Sequence, residues 1–125
     1  MTLVLDTGAL VALERRDRAM WRRLKLAVEE GSVPVTHGAI VGQAWRGGAR
    51  QAMLARALSA FDVRPLDEAL GRRAGALLAR ARRNDVVDAA LALLASDGDA
   101  IVTSDPKDIA ALATAADLDV EIIET

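Results

Sequence analysis

Cysteine is absent from the 125 residues of this chain. Its absence excludes disulfide bonds, thiolate zinc sites and cysteine nucleophiles. His37 is the only histidine, so a histidine-rich metal site is excluded as well. With two tryptophans, one phenylalanine and no tyrosine, the chain is poorly suited to stacking a long run of nucleic-acid bases.

Long apolar runs are also missing, and no stretch approaches the roughly 20 residues of a membrane span. The N-terminal letters MTLVLD place an acid where the apolar region of a signal peptide would continue. We therefore expect a soluble, cytoplasmic protein. The length fits a single domain over residues 1–125, large enough to bury a core without disulfides or a structural metal.

Charge is distributed unevenly along the chain, although the net charge is only -2. Of the 16 basic residues, 14 are arginine, and several fall in two clusters, at residues 14–23 and 72–83. Acids dominate from Asp85 onward. An arginine cluster can be a solvated helix face, or a surface that contacts phosphates beside an acidic pocket.

Short apolar runs alternate with helical patterns, which predicts an α/β fold with a mostly parallel sheet. The predicted strands cover residues 2–5, 32–36, 61–66, 100–103 and 119–123. The predicted helices begin near Thr7 and cover about 17–30, 37–46, 48–59, 66–83, 84–96 and 106–116.

Three or four aspartates are expected to meet at one edge of this sheet. In a parallel sheet, ligands bind outside the carboxyl ends of the strands. Asp6 and Asp105 follow the first strand and the AIVT strand (100–103). Asp85 and Asp88 share one face of the first turn of a helix that leads into AIVT, so they should lie at the same edge.

Each acid also has a local explanation, as a helix cap or as a partner of the helix dipole. The candidate caps are Asp6 or Thr7, Asp85, and Ser104 or Asp105 before Pro106, and the candidate dipole partners are Asp88 and Asp108. Neither explanation predicts that the acids converge.

Clustered carboxylates repel one another, and a divalent cation removes that penalty. Oxygen ligands without cysteine suit Mg²⁺ or Mn²⁺ better than zinc. Such ions usually act on phosphates, as Lewis acids and by activating a water molecule. The arginines are compatible with a polyanionic substrate.

Three segments of the sequence together resemble a known family: LVLDTGALVAL (3–13), NDVVDAALALLA (84–95) and IVTSDPKDIAALA (101–113). They are similar to PIN-domain ribonucleases, specifically VapC-type toxins, and the similarity covers essentially the whole chain in order. The resemblance implies a three-layer α/β/α domain with a Mg²⁺ or Mn²⁺ pocket. It also implies metal-dependent endonuclease cleavage of RNA, homodimers, and neutralisation by a cognate VapB-like antitoxin.

Carried over by position, the resemblance assigns the catalytic and metal-binding roles to Asp6, Asp88 and Asp105. Accessory positions follow from the same comparison. Asp85 and Asp108 match accessory acids, while Thr103 and Ser104 match polar residues that can hydrogen-bond a bound water or a phosphate.

Two positions depart from the family pattern. The segment THGAIVGQAWRGG (36–48) offers Gln43 where the family usually has a glutamate, and Gly8 stands where a serine often follows Asp-Thr. An amide cannot serve as a carboxylate ligand or base. A non-catalytic PIN module that binds RNA or antitoxin is therefore the alternative prediction.

Two other acid-centred α/β classes fit less well. A phosphoacceptor receiver domain needs paired acids after the first strand, a phosphorylatable aspartate after the third and a late lysine, whereas DTGAL offers one acid and the third strand runs into Arg64-Pro65. A haloacid-dehalogenase-like phosphatase needs a second aspartate where Gly8 stands.

Overall fold

Five short strands form one sheet in the computed structural model, which describes all of residues 1–125. They are β1 (Leu3–Leu5), β2 (Val35–His37), β3 (Asp62–Arg64), β4 (Ala100–Thr103) and β5 (Glu121–Glu124). All the residues of β1, β2 and β4 are buried, as expected of strands covered on both faces. The two remaining strands are more exposed.

The sheet has the strand order β3-β2-β1-β4-β5, and every neighbouring pair is parallel. The prediction of a mostly parallel α/β sheet is thus confirmed. The exposed strands β3 and β5 are the edges, while β1 is central. In the register of β1 and β4, Leu5 is level with Val102, so the two strands reach their carboxyl ends side by side.

Seven helices connect the strands. They are α1 (Thr7–Glu14), α2 (Arg18–Glu29), α3 (Gly38–Ala44), α4 (Ala52–Leu58), α5 (Glu68–Ala81), α6 (Val86–Ala92) and α7 (Pro106–Ala115). Helices α2 to α4 pack with α1, whereas α5, α6 and α7 pack with one another. The helices flank the sheet in a three-layer α/β/α arrangement, consistent with the PIN-like architecture that the resemblance implies.

A single core of 26 buried residues joins the layers. Helix α5 contributes Leu70, Ala74 and Leu77, spaced as the apolar stripe of an amphipathic helix. Helix α6 is different, because the four consecutive residues 89–92 are all buried. None of the helices has the length and apolar character that crossing a bilayer requires.

The predicted elements all exist, but several are shorter than the pattern indicates. The helix predicted over 84–96 ends at Ala92, where Leu94 and Ala95 bond to carbonyls three residues back and tighten the chain into a turn. The chain between α3 and α4 breaks at Gly47 and Gly48, whose φ angles of 82° and 88° favour glycine. A short 3₁₀ turn, Ala49–Gln51, then leads into α4.

Candidate metal and phosphate site

Asp6 lies at the carboxyl end of β1, beside the end of β4. Its N–H donates to the carbonyl of Val102, which continues the pairing of the two strands by one residue. Its side chain then caps α1, with Oδ1 accepting from the N–H of Ala9 at 3.1 Å. The helix-cap prediction for Asp6 is therefore confirmed.

The carboxylate of Asp6 is also bonded to the segment after β4. Oδ2 accepts from the hydroxyl of Thr103 and from the N–H of Ser104 at 3.3 Å. The residue is only 4% exposed, and burial raises the pKa of Asp6 despite these hydrogen bonds, which favour the charged form. Backbone N–H groups at the start of α1, those of Gly8 and Ala9, also favour the charged form of this carboxylate.

Thr103 serves the protein itself and does not face a ligand. It is completely buried, and its hydroxyl donates to Asp6 and accepts from the N–H of Asp105 at 2.9 Å. The expectation that this hydroxyl contacts a bound water or a phosphate is therefore wrong in this structure. Instead, Thr103 connects two of the predicted ligands, Asp6 and Asp105.

Ser104 is exposed and lies against Gly8. A Cβ atom added to Gly8 would stand 2.5 Å from Ser104 Oγ and 2.6 Å from Ser104 Cβ, which no real contact tolerates. Gly8 thus allows the chain after β4 to approach the start of α1. The departure of Gly8 from the family's serine has a steric explanation in this chain.

Asp105 occupies the N-cap position of α7, followed by Pro106 at the start of the helix. Its side chain makes no capping hydrogen bond, although its carbonyl accepts from the N–H of Ile109. The prediction that Asp105 lies at the start of this helix is therefore confirmed, although the helix is capped there through its carbonyl and not through its side chain. The exposed carboxylate is free for a ligand.

The first turn of α6 supplies two more carboxylates to this edge. Asp85 caps the helix, because its Oδ1 accepts from the N–H groups of Val87 and Asp88 at 2.9 and 3.1 Å. Asp88 is half-buried and belongs to none of the ion pairs in the structure.

Asp88 is the electrostatic centre of the acids. The pKa of Asp88 is raised to about 6. Burial is the largest cause, and repulsion from four carboxylates adds to it: those of Asp85, Asp6, Asp105 and Asp108. These acids from distant parts of the chain are therefore within electrostatic range of Asp88, although no three of them are grouped closely enough to hold an ion.

His37 fixes the helix that carries Asp88, a role that the sequence did not reveal. The imidazole is completely buried at the end of β2. Nδ1 accepts from the N–H of Ile40 at 3.4 Å and caps α3, so Nε2 carries the proton and donates to the carbonyl of Val87 at 2.9 Å. The predicted helix-start position is confirmed, but the bond to α6 spans 50 residues and has no local signal.

Gln43 lies in the last turn of α3, and its Oε1 accepts a hydrogen bond from the hydroxyl of Thr7. This contact places Gln43 at the start of α1, because Thr7 is the first residue of that helix and directly follows Asp6. The amide adds no charge there, in contrast to a glutamate. Thr7 orients Gln43, whereas Asp6 caps the helix.

An open cavity of about 290 Å³ adjoins these acids, and two arginines line it. Its lining residues are Arg82, Arg83, Asn84, Asp85, Asp88, Asp108 and Leu112. We call this cavity the acidic cleft. Both arginines belong to the 72–83 cluster, and no residue of the 14–23 cluster lines the cleft.

The donor set fits Mg²⁺ or Mn²⁺ by its chemistry. Asp6, Asp88 and Asp105 offer oxygen atoms only, and no ion pair neutralises any of them. No three acidic or histidine side chains are grouped closely enough in the structure to hold an ion, so binding requires the carboxylates to draw together. A cation would offset the repulsion that raises the pKa of Asp88.

The chain was also compared with known proteins. A scan against protein-family models gives no match, and a search of curated proteins finds no significantly similar sequence.

Proposed function

We propose that this protein is a Mg²⁺- or Mn²⁺-dependent endoribonuclease of the PIN-domain, VapC-toxin type. The observation that carries the proposal is the placement of Asp6, Asp88 and Asp105 at the ends of β1 and β4 and in the first turn of α6, where none of them is ion-paired. Burial and four neighbouring carboxylates also raise the pKa of Asp88 to about 6. Structural ion networks also perturb pKa values, but here the perturbing groups are all acids. Unneutralised acids at the carboxyl edge of a parallel sheet favour a cation-dependent reaction at phosphate.

In this proposal, Asp6, Asp88 and Asp105 hold the ion and each side chain is positioned by a different element. The hydroxyl of Thr103 orients the carboxylate of Asp6, and it also accepts from the backbone N–H of Asp105 and so positions that residue. The bond from His37 to α6 sets the position of Asp88. When bound, the ion would supply Lewis acidity towards a phosphate oxygen and lower the pKa of water.

The proposed partners are RNA, a VapB-like antitoxin and a second copy of the chain, in the cytoplasm. An apolar groove between α2 and α4, of about 880 Å³, supports an antitoxin segment as one partner. Trp21, Leu24, Val28 and Met53 are among its lining residues. Three basic residues, Arg22, Lys25 and Arg56, outnumber the single acid Glu29 in its lining and favour an acidic amphipathic peptide.

Calorimetric titration with Mn²⁺ tests the acid pocket without knowledge of the RNA target. We expect saturable binding by the wild type and none by Asp88→Asn. Asp62→Asn is the matched control, since Asp62 is exposed on β3 and pairs with Arg64. Equal binding by wild type and Asp88→Asn would remove the assignment.

A cleavage assay on total cellular RNA, with and without the ion, then tests the reaction. We expect ion-dependent fragments from the wild type that Asp88→Asn does not produce. Cleavage that persists in EDTA would contradict the proposal.

The second candidate function is a PIN module that binds without cutting. It is favoured by the neutral Gln43, whose amide oxygen is already engaged by Thr7. Under this alternative, Gln43→Glu should create ion-dependent RNA cleavage that the natural protein lacks. Gln43→Met, similar in size but uncharged, is the control. Cleavage by the wild type, or no gain in Gln43→Glu, would count against this alternative.

A further inference from the structure

The acidic cleft contains one feature that an ion site does not require, which is the pair of arginines at its rim. Arg82 and Arg83 follow α5 directly and line the cleft together with Asp85, Asp88 and Asp108. Cations placed among the ligands of another cation weaken its binding by repulsion. Of the carboxylates in the cleft, only Asp108 forms an ion pair with either arginine, so both arginines remain available to a further anionic group.

The backbone holds Arg83 at this rim. Arg82 ends α5 with a φ angle of 54°, a left-handed conformation that is uncommon for residues other than glycine. The N–H of Arg82 and that of Arg83 both bond to the carbonyl of Leu78, the latter at 3.1 Å. The helix end thus fixes where the Arg83 side chain begins.

Asp108, in the first turn of α7, holds the Arg83 side chain only loosely. Arg83 Nε stands 3.8 Å from Asp108 Oδ1, too long for a hydrogen bond. The two side chains are 43% and 48% exposed, and ion pairs of this kind add little to stability. The guanidinium therefore keeps donors for another acceptor.

We propose that Arg83 is a positioning residue that binds a phosphate of the RNA backbone, while Asp108 holds the guanidinium at the rim until RNA arrives. The inference rests on the proposed ribonuclease function. A guanidinium matches a phosphate with two parallel hydrogen bonds, which an ammonium group cannot reproduce. The RNA strand thus enters the acidic cleft over the end of α5.

The test is equilibrium binding of a fluorescein-labelled RNA oligonucleotide of mixed sequence, measured at several salt concentrations with Ca²⁺ in place of Mg²⁺. We expect Arg83→Gln to bind about fivefold more weakly and to lower the slope of log Kd against log salt by about 0.7, the value of one lost phosphate contact on a single strand. Arg83→Lys should restore the slope but only part of the affinity.

Two variants separate this role from a structural one. Arg72→Gln removes an arginine of the same helix that is paired with Glu68, so RNA affinity should stay unchanged. Asp108→Asn should tighten RNA binding, because it frees Arg83 and removes a negative charge. If Arg83 only stabilised the fold, Arg83→Gln and Asp108→Asn would both lower the free energy of unfolding and leave the salt slope unchanged. That result would overturn the inference.

Mn²⁺ titration of Arg83→Gln distinguishes the two levels of the argument. If Arg83→Gln binds RNA as tightly as the wild type does, and both proteins bind Mn²⁺, the role of Arg83 is overturned. The ribonuclease proposal then remains in place. A wild type that binds neither Mn²⁺ nor RNA overturns the ribonuclease proposal, and the role of Arg83 fails with it.

Discussion

The hydroxyl of Thr103 donates a hydrogen bond to Oδ2 of Asp6, across 97 residues of sequence. Both groups are buried, and the same hydroxyl accepts from the N–H of Asp105. This contact makes the two predicted ligands dependent on one side chain that cannot reach a substrate.

Thr103→Val should therefore impair the site without altering its carboxylates. Valine keeps the shape but leaves the Asp105 N–H without its partner, a cost of about 1–3 kcal/mol in the free energy of unfolding. It also removes a hydrogen bond that favours the charged form of Asp6, so Mn²⁺ affinity should fall. Urea denaturation and Mn²⁺ titration measure the two effects. Thr103→Ser, which keeps the hydroxyl, should retain Mn²⁺ binding; a loss equal to that of Thr103→Val would refute the role of the hydroxyl.

Gly8→Ala should destabilise the protein, because the new methyl group collides with Ser104. Overpacking of this kind costs about 1–3 kcal/mol. Ser104→Gly removes both colliding atoms, so the double variant should recover much of the loss. Gly75→Ala, in α5 with no atom within 4 Å of the new Cβ, is the control and should be neutral or stabilising. Thermal denaturation of the wild type, the two single variants at positions 8 and 104 and the double variant measures the coupling energy between Gly8→Ala and Ser104→Gly. Additive effects of the two substitutions would contradict the predicted collision.

Asp88→Asn should stabilise the ion-free protein in a pH-dependent way. The pKa of Asp88 is raised from 3.8 in the unfolded reference to about 6 in the fold, so between these values the folded state binds more protons. The stability contributed by this carboxyl is fully present below the unfolded pKa of 3.8 and is lost as pH rises through the folded pKa of about 6.

The gain from Asp88→Asn should accordingly be absent near pH 3.8 and complete above about pH 6. We expect about 1 kcal/mol after allowance for solvent screening of a half-exposed group. Saturating Mn²⁺ should reverse the order, because only the wild type gains stability from binding. Denaturation curves across this pH range test both statements, with Glu29→Gln on α2 as a charge-matched control. A gain that does not change with pH would contradict the assignment.

His37 should act on stability with the opposite sign. Burial lowers the pKa of His37 below its ordinary 6.5, so the unfolded chain binds the additional proton first. The stability from neutral His37 is complete above pH 6.5 and declines as pH falls towards the folded pKa. Measured in the Asp88→Asn background, this decline should be visible without the opposing effect of Asp88.

His37→Asn should remove that decline and loosen α6. Asparagine can still cap α3, but it is too short to reach the carbonyl of Val87. We expect a loss of about 2 kcal/mol in the free energy of unfolding and weaker Mn²⁺ binding. Hydrogen exchange of the amides in the first turn of α6 should accelerate. Unchanged exchange there would show that the bond to Val87 does not hold the helix.

The sequence predicts the layers of this fold well because the apolar periods are local. The strand AIVT and the stripe of Leu70, Ala74 and Leu77 can each be read from spacing alone. The convergence of Asp6 with Asp88 follows from a topological rule, since parallel strands end at one edge. The ends of the elements are predicted less well. Leu94 and Ala95 continue the apolar pattern of α6, but the helix has already ended and both residues lie in a turn.

What the sequence could not predict are the contacts between side chains that are distant along the chain. The approach of Ser104 to Gly8 and the bond from His37 to Val87 depend on tertiary positions that no spacing encodes. For Asp105, the local rule correctly placed the residue at the N-cap before a proline, but it could not show that the carboxylate makes no capping bond. The proposed ligands are thus identifiable by pattern, whereas their supports require the structure.

The position of β1 between β2 and β4 has a consequence for synthesis on the ribosome. A growing chain that ends before residue 100 can pair β1 only with β2, so β1 is temporarily an edge strand made of three buried-type residues. In the same interval Asp6 lacks Thr103 and Ser104, and its carboxylate is bonded only within α1. The candidate site is therefore completed only when the last fifth of the chain emerges, and premature termination products would expose β1 as an unprotected edge strand.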